Sequence, residues 1–131
     1  MNLFAYGTLM WPEVLQAVMG RRLEGEPATL EGYTRLRVIG QHYPVIVVSL
    51  DDSVAGILYQ GLTADEFGRL DAFEGEEYDR IGVCLGDAKA FAYVLSDDCR
   101  HIAAPEPWHP EQLTPGQLAS FCSEYKGWSE V

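Results

Sequence analysis

The chain has 131 residues, and its 20 acidic and 9 basic residues give a formal net charge of −11. Such a surface repels phosphate backbones and anionic lipids, so the composition disfavours nucleic acid and membranes as partners. No stretch approaches the roughly twenty apolar residues that cross a bilayer, and no basic cluster precedes an apolar run at the amino terminus. We therefore expect a cytoplasmic protein with a single domain over residues 1–131.

The first residues are predicted to form a strand, a turn and a helix in that order. Residues 3–6 have strand character, Gly7-Thr8-Leu9 supplies the turn, and Pro12 fits the first turn of a helix. Backbone N–H groups in such a turn form a concave donor site for a carboxylate or an oxyanion. A glycine here is equally typical of any tight strand-to-helix turn.

Short strand-like runs separated by turns fill much of the rest of the chain. Asp51-Asp52-Ser53 and Gly86-Asp87 are predicted to be hairpin turns between neighbouring runs. Residues 45–48 are apolar at every position, which is typical of a central strand covered on both faces. The predicted strands are residues 3–6, 29–38, 45–50, 54–59, 78–85 and 89–95.

A short amphipathic helix over residues 63–73 interrupts these strands. Thr63 and Glu66 match a capping box, and Gly75 is expected to end the helix. Glu74 then lies at the helix end, where a carboxylate can face a cleft and act as a general base. The alternative is a solvated acidic face, since seven carboxylates lie in this region: Asp65, Glu66, Asp71, Glu74, Glu76, Glu77 and Asp79.

Residues 96–131 are predicted to be a loop followed by a helix that packs on the sheet. Three prolines between residues 105 and 110 indicate the loop. Thr114, Pro115 and Gln117 match the start of a helix, and Gly127 is expected to end it.

Other catalytic chemistries have little support in the sequence. The three cysteines, Cys84, Cys99 and Cys122, are far apart, which indicates reduced thiols, and Cys84 is expected to be buried in a strand. The three histidines are scattered, without the short spacing of a zinc site. No serine lies in a nucleophile-elbow context. We expect no metal and no cofactor.

Five segments, taken in order, resemble one protein family. Over residues 2–95 the chain is similar to gamma-glutamylcyclotransferase-like proteins, and most to the gamma-glutamylamine cyclotransferase branch. The resemblance implies an α+β fold, in which a mixed, mostly antiparallel sheet curls into a small barrel with a few flanking helices. The segments are Phe4-Ala5-Tyr6-Gly7-Thr8-Leu9, Tyr43-Pro44-Val45-Ile46-Val47, Val54-Ala55-Gly56-Ile57-Leu58-Tyr59, Leu70-Asp71-Ala72-Phe73-Glu74-Gly75 and Tyr78-Asp79-Arg80.

The resemblance also implies a reaction and a set of site residues. The γ-glutamyl group of a small γ-glutamyl amine or peptide would cyclise to 5-oxoproline and release the amine, with Glu74 as general acid and base. Arg80 would brace the site by pairing with Asp71 or Asp79, although a surface ion pair explains it equally well. His42 and Trp108 would either border the pocket or, as we favour, pack in the core or at the rim. The substrate-binding residues it implies are Tyr6, Gly7, Thr8, Leu9, Tyr78 and Tyr93.

Two other functions fit the same residues. One is γ-glutamyl acyl transfer or hydrolysis at the same site. The other is a non-catalytic binding domain that keeps the fold and the pocket, because a fold does not by itself determine a function. In each case the expected partner is a small-molecule γ-glutamyl compound, and both a monomer and a homodimer are compatible with the sequence.

Overall fold

The computed structural model describes residues 1–41 and 43–110, which form six strands, two α-helices and two short 3-10 helices. The 3-10 helices span Thr8–Met10 and Asp97–Ile102. The α-helices are α1 (Pro12–Met19) and α2 (Ala64–Glu74). The strands are β1 (Leu3–Ala5), β2 (Glu26–Val38), β3 (Pro44–Tyr59), β4 (Tyr78–Leu85), β5 (Ala88–Leu95) and β6 (Ala103–Pro107).

The six strands form one mixed sheet in the order β4-β5-β1-β3-β2-β6. Strands β1 and β5 are parallel, whereas the other neighbouring pairs are antiparallel. The sheet curls into a half-barrel whose inner face buries apolar side chains of β1 to β5, among them Phe4, Ile46 and Val83. Its other face packs against α1 and α2. The predicted α+β class, with a mostly antiparallel sheet, is confirmed.

Helix α2 begins and ends where the sequence predicts. The Thr63 side chain accepts a hydrogen bond from the Glu66 N–H, and the Glu66 carboxylate accepts one from the Thr63 N–H. Gly75 ends the helix at φ +78°, a conformation that glycine adopts without steric cost. Arg21, which follows α1, donates two hydrogen bonds to Glu66, each 2.8 Å long. This contact fixes α2 to the end of α1.

The predicted hairpin at Asp51-Asp52-Ser53 is wrong. Residues 45–50 and 54–59 belong to one long strand, β3, and both halves pair with β2. The pairing register shifts between Glu31 and Tyr33, where Gly32 has φ +87°, so the intervening residues of β3 bulge outward. The exposed residues of this bulge resemble a turn in the sequence. The hairpin at Gly86-Asp87, between β4 and β5, is confirmed.

Three further expectations require correction. Val48 is 66% exposed, so only the preceding residues of its apolar run are buried. Cys84 lies in β4 as predicted, but its side chain is exposed because it points away from the core face. The predicted loop after residue 95 contains a 3-10 helix and the strand β6, which pairs with β2 and forms an edge of the sheet. Proline is tolerated there because an edge strand leaves one side unpaired.

The predicted carboxy-terminal helix and Cys122 lie outside the described residues, as does His42. Cys84 and Cys99 are both free thiols. Neither described α-helix has the length and hydropathy needed to cross a bilayer.

Candidate active site

Glu74 is the last residue of α2, and its side chain is partly buried. Gly75 turns the chain away directly after it, and the Gly75 N–H donates to the Asp71 carbonyl at 3.0 Å. Burial raises the pKa of the Glu74 carboxyl from 4.5 to about 8. The predicted alternative of a solvated acidic face does not describe this residue, although its neighbour Glu76 is exposed. A carboxyl that exchanges its proton near neutral pH is suited to acid and base catalysis.

Four tyrosines surround Glu74 closely enough for its charge to act on their hydroxyl groups. In each case burial is the largest cause of a raised pKa, and the negative charge of Glu74 adds to it. These phenols therefore stay protonated and can serve as hydrogen-bond donors. Three of them were predicted from the sequence, whereas the fourth, Tyr43, was not assigned a role. The four are Tyr6, Tyr43, Tyr78 and Tyr93.

The hydroxyl groups of three of these tyrosines bond to neighbouring parts of the fold. Tyr6 donates to the backbone carbonyl of Tyr93 at 2.5 Å. Tyr78 donates to the carbonyl of Pro44 at 3.0 Å, and Tyr93 donates to the Asp71 carboxylate at 2.7 Å. These bonds fix the orientation of the rings around Glu74. They also join the end of β1 to β3, β4, β5 and α2.

Residues 6–10 form a turn, here called the 6–10 turn, whose carbonyls are all held by hydrogen bonds. The Gly7 and Thr8 carbonyls accept from the N–H groups of Met10 and Trp11 at 3.0 and 3.2 Å. The Tyr59 hydroxyl lies 2.9 Å from the Leu9 carbonyl and 3.0 Å from the Met10 carbonyl. The remaining carbonyl, that of Tyr6, accepts from a side chain of β2, described below. The orientation of each peptide group in this turn is therefore fixed.

Gly7 is required in the 6–10 turn because Pro44 packs directly against it. A Cβ atom on Gly7 would lie 2.8 Å from Pro44 Cδ and 2.9 Å from Pro44 Cγ, which is closer than such atoms approach in proteins. Pro44 therefore contacts Gly7 with its ring and accepts the Tyr78 hydrogen bond with its carbonyl. This residue links the turn to the tyrosines around Glu74.

A cavity of about 350 Å³ lies beside the end of α2, within the range of small-ligand pockets. In its wall the Arg80 Nε lies 3.3 Å from the same Asp71 oxygen that accepts the Tyr93 hydrogen bond. The guanidinium of Arg80 also lies over the ring of Phe91, at 4.9 Å. The predicted pairing of Arg80 is thus confirmed, with Asp71 as its partner. The cavity is lined by Asp71, Gly75, Tyr78, Asp79, Arg80 and Tyr93.

The structure places Glu74 near Tyr6, Tyr78 and Tyr93. The side chains of Leu9 and Trp108 lie in the interior. The Leu9 side chain is buried in the core, so only its backbone is available at the turn. Trp108 is 2% exposed and packs against the protein interior. Among the described residues, no group of three or more His, Cys, Asp or Glu side chains is placed to hold a metal ion.

A family model described as gamma-glutamyl cyclotransferase, AIG2-like, matches residues 3–110. The chain belongs to this family. AIG2-like protein A of Arabidopsis thaliana is 43% identical over 82 residues, which cover 63% of this chain and 50% of that protein. AIG2-like protein D of the same plant is 33% identical over 106 residues, or 74% of this chain and 70% of that protein. The chain spans about half the length of AIG2-like proteins A, B and C.

Solved structures share the fold of this AIG2-like chain. The solution structure of an Arabidopsis thaliana protein matches with a TM-score of 0.68 and 29% identity, and covers 95% of this chain and 79% of that one. A structure named gamma-glutamyl cyclotransferase matches with a TM-score of 0.64 and 15% identity, again with 95% and 79% covered. At that identity the second match shows a common fold only.

Proposed function

We propose that this AIG2-like chain cyclises the γ-glutamyl group of a small γ-glutamyl amine or peptide to 5-oxoproline and releases the amine. The observation that carries the proposal is the partly buried Glu74 carboxyl, whose pKa is raised to about 8 by desolvation. It lies among tyrosines that connect it to the 6–10 turn. Family membership agrees with the reaction class.

In the proposed reaction a proton must leave the attacking nitrogen before the ring closes and a proton must reach the leaving nitrogen, and Glu74 can perform both transfers. Ionised Glu74 takes a proton from the substrate's α-ammonium group, and the free amine attacks the γ-carbonyl carbon of the same glutamyl unit. The five-membered ring closes as a tetrahedral oxyanion forms. When the intermediate collapses, the C–N bond to the leaving amine breaks and Glu74 returns the proton to that nitrogen. The ring nitrogen gives up its second proton, which the released amine takes as it becomes an ammonium ion. A pKa near the working pH suits both transfers.

The 6–10 turn and the tyrosines supply the binding and orientation. Backbone N–H groups of the turn would hold the substrate's carboxylate or stabilise the tetrahedral oxyanion. Tyr78 and Tyr93 would line the pocket that folds the glutamyl chain. Because ring closure is intramolecular, holding the amine close to the γ-carbonyl supplies a large part of the rate enhancement.

The test is release of 5-oxoproline, followed by mass spectrometry, from a panel of γ-glutamyl amines and γ-glutamyl peptides. The wild-type chain is compared with Glu74→Gln, which removes the proton chemistry while keeping size and polarity. Glu76→Gln is the matched control, because it makes the same change at an exposed position two residues away. We expect release by the wild type and the control and none by Glu74→Gln.

Other products would support the other functions. Release of glutamate instead of 5-oxoproline would indicate hydrolysis, and a new γ-glutamyl amide formed from an added amine would indicate acyl transfer. Binding of 5-oxoproline without turnover of any substrate would favour a binding domain. Full activity of Glu74→Gln would contradict the role proposed for Glu74.

A further inference from the structure

Arg35 of β2 contacts the 6–10 turn from the side of the sheet. Its Nη1 atom donates to the Tyr6 carbonyl at 2.9 Å and to the Ala55 carbonyl of β3 at 3.1 Å. Its guanidinium carbon lies 5.2 Å from the centre of the Trp108 ring. The backbone N–H of Trp108 donates to the backbone carbonyl of Arg35 at 3.4 Å. Trp108 is almost fully buried. The side chain is therefore held in one position between the ring and the two carbonyls.

The contact with the Tyr6 carbonyl has a consequence for the next residue. The Tyr6 carbonyl and the Gly7 N–H belong to the same planar peptide group, in which the two bonds point in opposite directions. A donor that holds the carbonyl therefore also sets the direction of the Gly7 N–H. A positive charge on the carbonyl polarises the peptide group, which makes its N–H a stronger donor.

We propose that Arg35 is a positioning residue for this site, acting through the Tyr6 carbonyl to hold and strengthen the Gly7 N–H as a donor to the substrate. The proposal rests on the proposed function, in which the 6–10 turn binds the carboxylate or the oxyanion. Arg35 is not a catalytic residue in this arrangement, because it contacts the backbone carbonyl of Tyr6 and not the substrate. Neither composition nor motif spacing indicates this role, since β2 is remote from the turn in sequence.

Two substitutions separate this role from simple packing. Arg35→Met keeps much of the aliphatic stem that packs beside Trp108 but removes the donor and the charge. Arg35→Lys keeps both a donor and a charge. Arg37→Met is the matched control, since it removes an arginine from the same face of β2, and the ion-pair partner of Arg37 is the exposed Glu106.

The first measurement is the steady-state kinetics of 5-oxoproline release. A displaced binding group commonly lowers turnover by about 10- to 100-fold, and we expect a loss of that size in kcat for Arg35→Met. We expect Arg35→Lys to keep most of the activity and Arg37→Met to match the wild type. Equal losses in Arg35→Met and Arg35→Lys would indicate packing alone, and an unchanged kcat in Arg35→Met would also overturn the proposal.

The second measurement does not depend on turnover. The Gly7 amide signal in a ¹H–¹⁵N spectrum is followed for each variant, alone and during titration with 5-oxoproline. We expect Arg35→Met to shift the Gly7 signal and to weaken its response to 5-oxoproline, whereas Arg35→Lys should resemble the wild type. A Gly7 signal that is identical in all variants would overturn the positioning role.

The two measurements also separate this inference from the function on which it rests. If the wild type releases no 5-oxoproline from any substrate, the proposed function fails, and the Gly7 amide signal alone decides whether Arg35 orients the turn. If Arg35→Met does not fold, Arg35→Gln replaces it, because it removes the charge while remaining polar. A wild-type kcat in Arg35→Gln would then overturn the proposal.

Discussion

Replacing Glu74 by glutamine should remove a pH-dependent decrease in the free energy of unfolding that the wild-type protein shows. The pKa of the Glu74 carboxyl is about 8 in the folded protein, compared with 4.5 for an exposed glutamate. Between these values the folded state binds a proton that the unfolded state has lost, so stability falls as the pH rises. Each pH unit within this interval lowers the free energy of unfolding by about 1.4 kcal/mol. The total decrease is roughly 3 kcal/mol between about pH 5.5 and pH 8.

The assay is chemical denaturation of wild type and Glu74→Gln at several values between about pH 5.5 and pH 9. Subtracting the two curves removes the contribution of groups that titrate alike in both proteins, including the general repulsion within this acidic chain. We expect the stability of Glu74→Gln relative to the wild type to rise through this interval and to level off above about pH 8. Glu76→Gln, at an exposed position, should show no such trend.

A stability difference that does not change with pH would refute the reasoning, because it would mean that the carboxyl ionises normally in the folded protein. A Glu74→Gln variant that becomes less stable than wild type at high pH would also refute it, since the ionised carboxylate would then have a stabilising partner. The same pKa predicts the kinetics of the proposed reaction. The catalytic base must be ionised in the free enzyme, so kcat/KM should rise with pH and level off above about 8.

Three further changes test contacts described above. Gly7→Ala should abolish most 5-oxoproline release because its methyl group would collide with the neighbouring proline ring, whereas Gly68→Ala, in open space on α2, should leave activity unchanged. Tyr93→Phe should lower the free energy of unfolding by about 1–3 kcal/mol, since it removes the hydrogen bond to Asp71; an unchanged denaturation midpoint would contradict this. Glu66→Gln should cost a similar ~1–3 kcal/mol at neutral pH, and the difference should shrink as the pH falls from 4.5 toward 2, because the paired arginine lowers the pKa of Glu66 to about 2. A difference that persists at the lowest pH would show that Glu66 acts through its shape and not its charge.

Local signals in the sequence determined the parts of the fold that depend on neighbouring residues. The capping box of Thr63 and Glu66 and the glycine at position 75 determine where α2 begins and ends, because hydrogen bonds and backbone freedom act over a few residues. The strand, turn and helix at the amino terminus and the hairpin at Gly86-Asp87 were predictable for the same reason. Motif order was sufficient to identify the family.

The tertiary structure decided the features that depend on residues remote in sequence. Whether residues 51–53 turn back or continue along β2 depends on the length of the partner strand, which no local pattern contains. The burial of Glu74, and with it a pKa of about 8, depends on elements that pack around the end of α2. The contact of Arg35 with the Tyr6 carbonyl likewise exists only because the folded chain places β2 next to the 6–10 turn. Burial and long-range hydrogen bonds are properties of the packed chain, and they convert an acidic segment into a candidate active site.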